Sequence, residues 1–428
     1  MTTVSTANTA SNTATARPAR NAWVLVALLG FALCVNFFFR GNLAVAAPVL
    51  TQELGFSPWQ LGVLISAFFW TYSVSLIGAG WLVDRFEVRW VYAAGFLLCC
   101  LSTFFTGVVT SFAALLCMRL LLGVGASISY PANSRILATV FSERRRGLAN
   151  AVTDLGGRLG PLLGTLFGAL LVNRAGWRSL FLISGAGVLI WLVPWMMAAP
   201  QTIVPAAAGR KPTMGWGELI RRRDVWGTFG GLFGANYAWN FLSNYLPSYL
   251  VRERHFTMNS VAIWGALPYL FMAVSLVGGG LLADYWISRG ASAVRVRRGF
   301  ASTGLIISAV LLPLALLPSV IWAFAGLFLT CLAFGTYLSN LWALTQTLAG
   351  PQAAGRWTGM QNACGNLAGI LSPIVTGWLV TKTGHYSIAF LAASLACLGG
   401  AASFRLLVRD PNDEGKGGGK GLLREERS

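Results

Sequence analysis

Within the run VNFFFRGNLAVAAPVL, Val35 to Leu50, one arginine, Arg40, stands among apolar residues with no acid nearby. Arg119 repeats the situation in CMRLLLGVG. A guanidinium stays charged at any working pH, presents five N–H donors in a planar fork, and grips carboxylates bidentately. At membrane depth such a charge costs roughly 2.5 to 17 kcal/mol, depending on how it is measured, and it marks a pathway, a pair or a ligand site. Neither arginine has an acid within one helical turn. The chemistry open to them is capture of an anion that the chain does not itself supply. The competing uses are snorkelling to an interface for Arg40 and pairing with backbone carbonyls for Arg119.

Other charged and amide residues fall into three groups. Asp154 and Arg158, in TDLGGRLGP, are spaced i,i+4 and can pair on one helix face. Read this way, Asp154 neutralises Arg158, and Arg40 and Arg119 are left for a ligand. The element DRFEVR sets Asp84, Arg85 and Arg89 at the end of an apolar run. It serves either as a gate latch of ion pairs and helix dipoles or as a turn carrying orientation charges. Amides and phenols, Asn236 and Tyr237 in FGANYAWNFLSNYLP and Gln361 and Asn366 in QNACGNLAGILSP, either hydrogen-bond a substrate or join helices. Gly156, Gly160 and Gly164 share a face and favour close helix packing.

The elements that must position these residues are membrane helices. The chain has 428 residues, 55% hydrophobic and 11% charged, with mean hydropathy +0.63; a soluble protein would carry roughly 25% charged residues. Windows of about 20 apolar residues predict twelve spans near 22–50, 58–82, 88–108, 112–140, 148–172, 179–199, 225–251, 260–286, 298–318, 320–348, 357–381 and 385–408. An all-α polytopic membrane protein follows. Its expected parts are a disordered tail (1–21), an N-terminal six-helix bundle (22–199), a linker (200–224), a C-terminal six-helix bundle (225–408) and a second tail (409–428). The halves echo each other: GAGWLVDRF ends the second span and GGGLLADYW the eighth, so Gly80 and Asp84 recur as Gly280 and Asp284. Paired six-helix repeats are a transporter plan.

Lysine and arginine number 32. Arg174, Arg178, Arg252, Arg254 and Lys382 fall on one side and Arg40, Arg119 and Arg158 within spans. The rest lie on the opposite side, which places both termini in the cytoplasm. The net charge of +18 is therefore an orientation signal and not a nucleic-acid footprint. The seven cysteines all lie in apolar runs without a metal-ligand spacing. No nucleotide, hydrolase or dinucleotide fingerprint occurs, so no enzyme activity, cofactor or metal is expected.

The G-x-x-x-D-R element at Gly80–Arg89 is similar to a signature of the major facilitator superfamily. NLAVAAPVL, RLLLGVGASISYPAN and AGRWTGMQNACGNLAGILSPIVTG resemble its anion:cation symporter family over roughly residues 22–408. The resemblance implies two bundles about a central cavity, alternating access, and transport of organic anions such as sugar acids or phthalates. It implies that Arg40 binds the substrate carboxylate, that Arg119 serves binding or proton coupling, and that Tyr72 lines the cavity. Phe39 and Ala126 stand where proton-coupled members carry acids, which leaves Asp154 as the remaining candidate proton site. The expectation is a monomeric, multi-pass carrier in a bacterial inner membrane, taking up a small organic anion with protons, with membrane lipid as its surroundings; the alternatives are exchange for a counter-anion, export, or a transporter-like sensor.

Overall fold

A computed structural model of the chain describes residues 19–56, 58–199, 215–252, 254 and 258–410. Residues 1–18, 200–214 and 411–428, which hold nearly all of the expected tails and most of the linker, lie outside the described residues. Among the described residues the backbone is helical, with short turns between helices. Two long helical stretches, Glu143–Gly187 and Val320–Thr383, are broken inside by Gly176 (φ 77°) and Gly350 (φ 66°). Glycine enters this left-handed region without the Cβ clash that other residues meet.

Divided at those glycines, the described helices form twelve rods. They are α1 (Ala19–Leu54), α2 (Pro58–Arg85), α3 (Val88–Thr106), α4 (Phe112–Val140), α5 (143–175), α6 (177–198), α7 (Arg223–Arg252), α8 (Met258–Ser288), α9 (Ala293–Leu316), α10 (320–349), α11 (351–383) and α12 (Ser387–Leu407). A short helix, Trp216–Arg221, precedes α7. Among the described residues nine segments are long and apolar enough to cross a membrane, one of them, Val320–Val380, covering parts of both α10 and α11. Most of α5 and all of α7 fall outside that set. Those two rods carry Asp154, Arg158, Asn236 and Asn240, and their polarity faces protein, not lipid.

Each half has its own apolar core. Leu29, Phe68, Tyr92, Trp191 and Trp195 pack in the first, and Phe241, Tyr249, Tyr337, Phe390 and Phe404 in the second. Large apolar side chains such as Trp70, Val74, Ile321 and Trp378 face outward, as a lipid-facing surface requires. Close approach of backbones sets the rods that matter for the site. A Cβ at Gly156 would overlap the carbonyl oxygen of Gly30, so α5 lies directly on α1. A Cβ at Gly123 would overlap Thr71 and the Phe68 carbonyl, which binds α4 to α2. α4 is interrupted at Ser127 and Ile128, between helical segments Phe112–Ala126 and Ser129–Val140. Asn36 of α1 holds that break, donating to the Ala126 carbonyl (3.2 Å) and to Ser129 Oγ (3.1 Å).

Candidate anion site and latch

Arg40 lies on α1 facing α2. Its guanidinium sits over Phe69 (4.2 Å), Phe68 (5.2 Å) and Phe37 (5.5 Å). Aromatic faces offset part of a buried cation's cost, about 0.5 to 2 kcal/mol each, but they accept none of its N–H bonds. Among the described residues no carboxylate lies within 4 Å of Arg40. The sequence expectation of an unmatched cation therefore describes its surroundings. Tyr72, one turn on from Phe68, stacks on that ring at 5.1 Å and accepts a bond from Asn362 Nδ2 of α11 (3.4 Å). Asn366 in turn donates to the Asn362 carbonyl at 2.8 Å. Tyr72 and Asn362 thus link the two halves beside the Phe68 ring that Arg40 covers, and Asn366 braces Asn362.

Arg119 is arranged differently. It is 3% exposed and donates through Nε to the Leu64 carbonyl (3.2 Å) and through a terminal nitrogen to the Arg40 carbonyl (3.3 Å). Its fork is used to tie α4 to α2 and α1, the backbone use that competes with ligand binding. Three other expected cavity residues are likewise engaged in joining helices. Asn236 donates to the Gly365 carbonyl (3.0 Å). Gln361 is fully buried, accepting from Thr345 (2.7 Å) and donating to the Thr228 carbonyl (3.2 Å). Tyr237 packs in the second core.

The expected ion pair between Asp154 and Arg158 is not closed. Arg158 turns instead across the inter-half boundary and lies over the Trp239 ring of α7 at 4.7 Å; the aromatic face outcompetes a partner one helical turn away. Asp154 is 7% exposed. It lines a small polar cavity with Tyr130, Asn133 and Thr153 of its own half and Trp342 and Gln346 of the other. Asn133 presents both side-chain polar atoms there without a partner.

The second-span aspartate sits in a cluster that bonds across the two halves, the candidate latch, with partners that lie far along the chain. Asp84 accepts from the backbone N–H of Gly355 (3.1 Å) and Arg356 (2.8 Å) at the start of α11, from Arg356 Nε (3.1 Å), and from Arg135 of α4 (3.3 Å). The two backbone donors lie in the first two turns of α11, near the positive end of its dipole. Asp284 repeats the arrangement in reverse, from α8 to the start of α5. It accepts from Gly147 N (3.0 Å) and Leu148 N (2.8 Å), with Arg297 at 3.5 Å. Arg85 is exposed and contributes no ion pair among the described residues, so it stands outside the latch. Arg89 instead donates to the Met196 carbonyl (2.5 Å) at the end of α6.

At the latch and from it toward Arg40 the halves touch in layers. Thr347 of α10 donates to Glu143 (2.6 Å), Thr358 of α11 to Ser134 of α4 (2.7 Å), and Tyr130 meets Trp342 at 5.2 Å. Asn150 and Gln346 exchange reciprocal amide bonds, both 2.9 Å.

The chain resembles transport proteins over most of its length. A "Probable L-galactonate transporter" of Escherichia coli (strain K12) is 27% identical over 409 residues, covering 91% of this chain and 90% of that protein. A "Probable sulfoacetate transporter SauU" of Cupriavidus necator is 29% identical over 412 residues, covering 90% and 95%. The crystal structure of a transporter, FucP, "in the outward conformation" superposes with a TM-score of 0.70 at 16% identity, covering 91% of this chain and all of that one. The sequence profile described as Major Facilitator Superfamily matches residues 29–373 and 290–426. The chain belongs to the major facilitator superfamily.

As a major facilitator, it is a multi-pass membrane transporter and not an enzyme. Sequence reasoning missed several residues of the cross-half contacts. Arg135, Arg356, Arg297 and Glu143 sit at span ends, where they are indistinguishable from orientation charges. Asn150 and Gln346 looked like any other amides. The repeat of Asp84 as Asp284 held the available signal, because a duplicated acid at equivalent span ends needs equivalent partners in the opposite half.

Proposed function

We propose that this facilitator carries a small organic anion, a carboxylate or sugar acid, across the bacterial inner membrane by alternating access, acting as a monomer with both termini in the cytoplasm. The observation that carries the reading is Arg40: a guanidinium at membrane depth, held on three aromatic faces, with no carboxylate within 4 Å among the described residues. An anionic guest supplies the missing charge and hydrogen-bond acceptors. The relatives named for L-galactonate and sulfoacetate transport agree with this class of cargo. Tyr72, Asn362 and Asn366 stand where they would contact the guest's remaining groups, and Arg119 fixes the frame about Arg40.

In this reading the latch closes one end while the guest enters from the other. Binding neutralises the buried charge, and the halves rock so that the latch opens. Uptake is driven by the proton gradient, with Asp154 as the proton site. Phe39 and Ala126 are both buried in the first core, so neither position supplies an acid. The alternative is exchange for a counter-anion, favoured by those same two apolar positions. Vesicles reconstituted with the purified chain separate the cases. Uptake stimulated by an acidic exterior, and lost in Asp154→Asn, supports symport; uptake that needs an internal anion and ignores pH supports exchange. In either case Arg40→Ala is expected to abolish uptake, and retained uptake with unchanged affinity refutes the anion reading.

A further inference from the structure

α5 presents one continuous face to the other half. From the latch inward, Gly147 meets Asp284, Asn150 meets Gln346, Ala151 meets Gly280, Asp154 faces the polar cavity, and Arg158 reaches Trp239. Arg158 lies one turn beyond Asp154, farther from the latch along α5. It is half-buried, and like Arg40 it rests on an aromatic face with no carboxylate within 4 Å among the described residues. The register of α1 on α5 fixes their relative depth. Gly156 faces Gly30, Gly160 faces Cys34 and Gly164 faces Phe38, so Arg158 lies level with Ala32. That is eight residues before Arg40, or about 12 Å along the axis at 1.5 Å per residue. Tyr130 of α4 lines the cavity beside Asp154 and meets Trp342 of the other half.

We infer that Arg158 is a second anion anchor, and that the guest of this site is a dianion with its two negative groups at opposite ends of a chain of several carbons. The inference rests on the organic-anion reading above and narrows it. Two cations a fixed distance apart select ligand length as well as charge. A monoanion fills only the Arg40 end and leaves the other fork without acceptors, which is how a polar site rejects a truncated ligand. Among the described residues, the other charged or titratable groups near Arg158 are Asp154, one turn nearer the latch on its own helix, and Tyr130 on α4. Trp239 of α7 and Trp342 and Gln346 of α10 bring no charge from the opposite half. Trp239 acts as a shelf that holds the fork out of contact with Asp154.

The test uses purified full-length protein at one pH and two probes of equal carbon number, D-glucarate with two terminal carboxylates and D-gluconate with one. Affinity is read by thermal shift and by displacement of radiolabelled glucarate. The wild-type chain is expected to prefer glucarate by at least tenfold. Arg158→Gln should lose at least tenfold for glucarate while gluconate changes by less than threefold. If Arg158→Gln does not fold, Arg158→Lys is read instead; loss of the planar fork should cut the glucarate preference at least threefold. An equal fall for both probes, an unchanged preference in either variant, or no preference in the wild type overturns the second anchor while leaving the carrier reading standing. Binding of neither probe by the wild-type chain, when Arg40→Ala behaves identically, overturns the carrier reading and this inference with it.

Discussion

Replacing Asp84 by asparagine should release this conformation. Four donors converge on the carboxylate, but only three cross between the halves: the N–H groups of Gly355 and Arg356 and the Arg356 guanidinium. Arg135 belongs to the same half and keeps its contact when the halves part. An asparagine retains one acceptor oxygen and turns an NH2 toward the remaining donors, so about two of the three crossing bonds are lost. Hydrogen bonds to a charged group contribute roughly 1.5 to 3 kcal/mol each, and Asp84 is 7% exposed, so solvent screens little of this. Taking the low figure for two bonds gives about 3 kcal/mol, or roughly a hundredfold shift in the equilibrium between the two ends. Double electron–electron resonance reads it directly, with spin labels at the exposed positions Thr110 and Val320 in a cysteine-depleted background. Those sites lie at the end opposite the latch and should draw together in Asp84→Asn. An unchanged distance distribution would refute the idea that Asp84 holds the halves closed.

The other expectations concern the parts of the same device. Asp284→Asn removes the reciprocal cap on α5 and should move the same label pair in the same direction, and the double variant should add to the single effects within a few tenths of a kcal/mol if the two caps act independently. A double-mutant cycle on Asn150 and Gln346, read by the same resonance experiment, should give a coupling near 1 kcal/mol, the scale of polar contacts between membrane helices; zero coupling would mean the reciprocal amide bonds do not form. Gly156→Ala sets a methyl against the Gly30 carbonyl and should destabilise the α1–α5 contact by about 1 to 3 kcal/mol, seen as a lower melting temperature in detergent. Arg119→Lys keeps the charge but loses the fork bonded to the Leu64 and Arg40 carbonyls, and should lower stability together with binding, whereas Arg40→Lys should weaken binding alone.

Much of the architecture is written in local pattern. The apolar runs mark the rods, and positive-φ glycines at 176 and 350 fall where span predictions already placed breaks. Arg40 is legible for the same reason: a lone charge in an apolar run contradicts its surroundings. What local pattern cannot carry is competition between partners. Asp154 and Arg158 have ideal helical spacing, yet Trp239, some eighty residues later, takes the guanidinium. Gln361 and Asn362 are neighbours in sequence, but one is sealed between Thr228 and Thr345 while the other meets Tyr72. A helix turns successive residues by about 100°, so adjacent amides serve different neighbours. The latch partners of Asp84 include two backbone N–H groups, which have no sequence signature at all.

One binding measurement tests the role of Arg40 most directly. Saturable binding of radiolabelled D-glucarate or D-gluconate to the purified wild-type chain should fall by at least thirtyfold in Arg40→Ala, the lower end of the 2 to 5 kcal/mol cost typical of removing one member of a buried charge pair. Folding should be intact by melting temperature. A correctly folded Arg40→Ala protein that binds its anion with the wild-type dissociation constant would contradict that role.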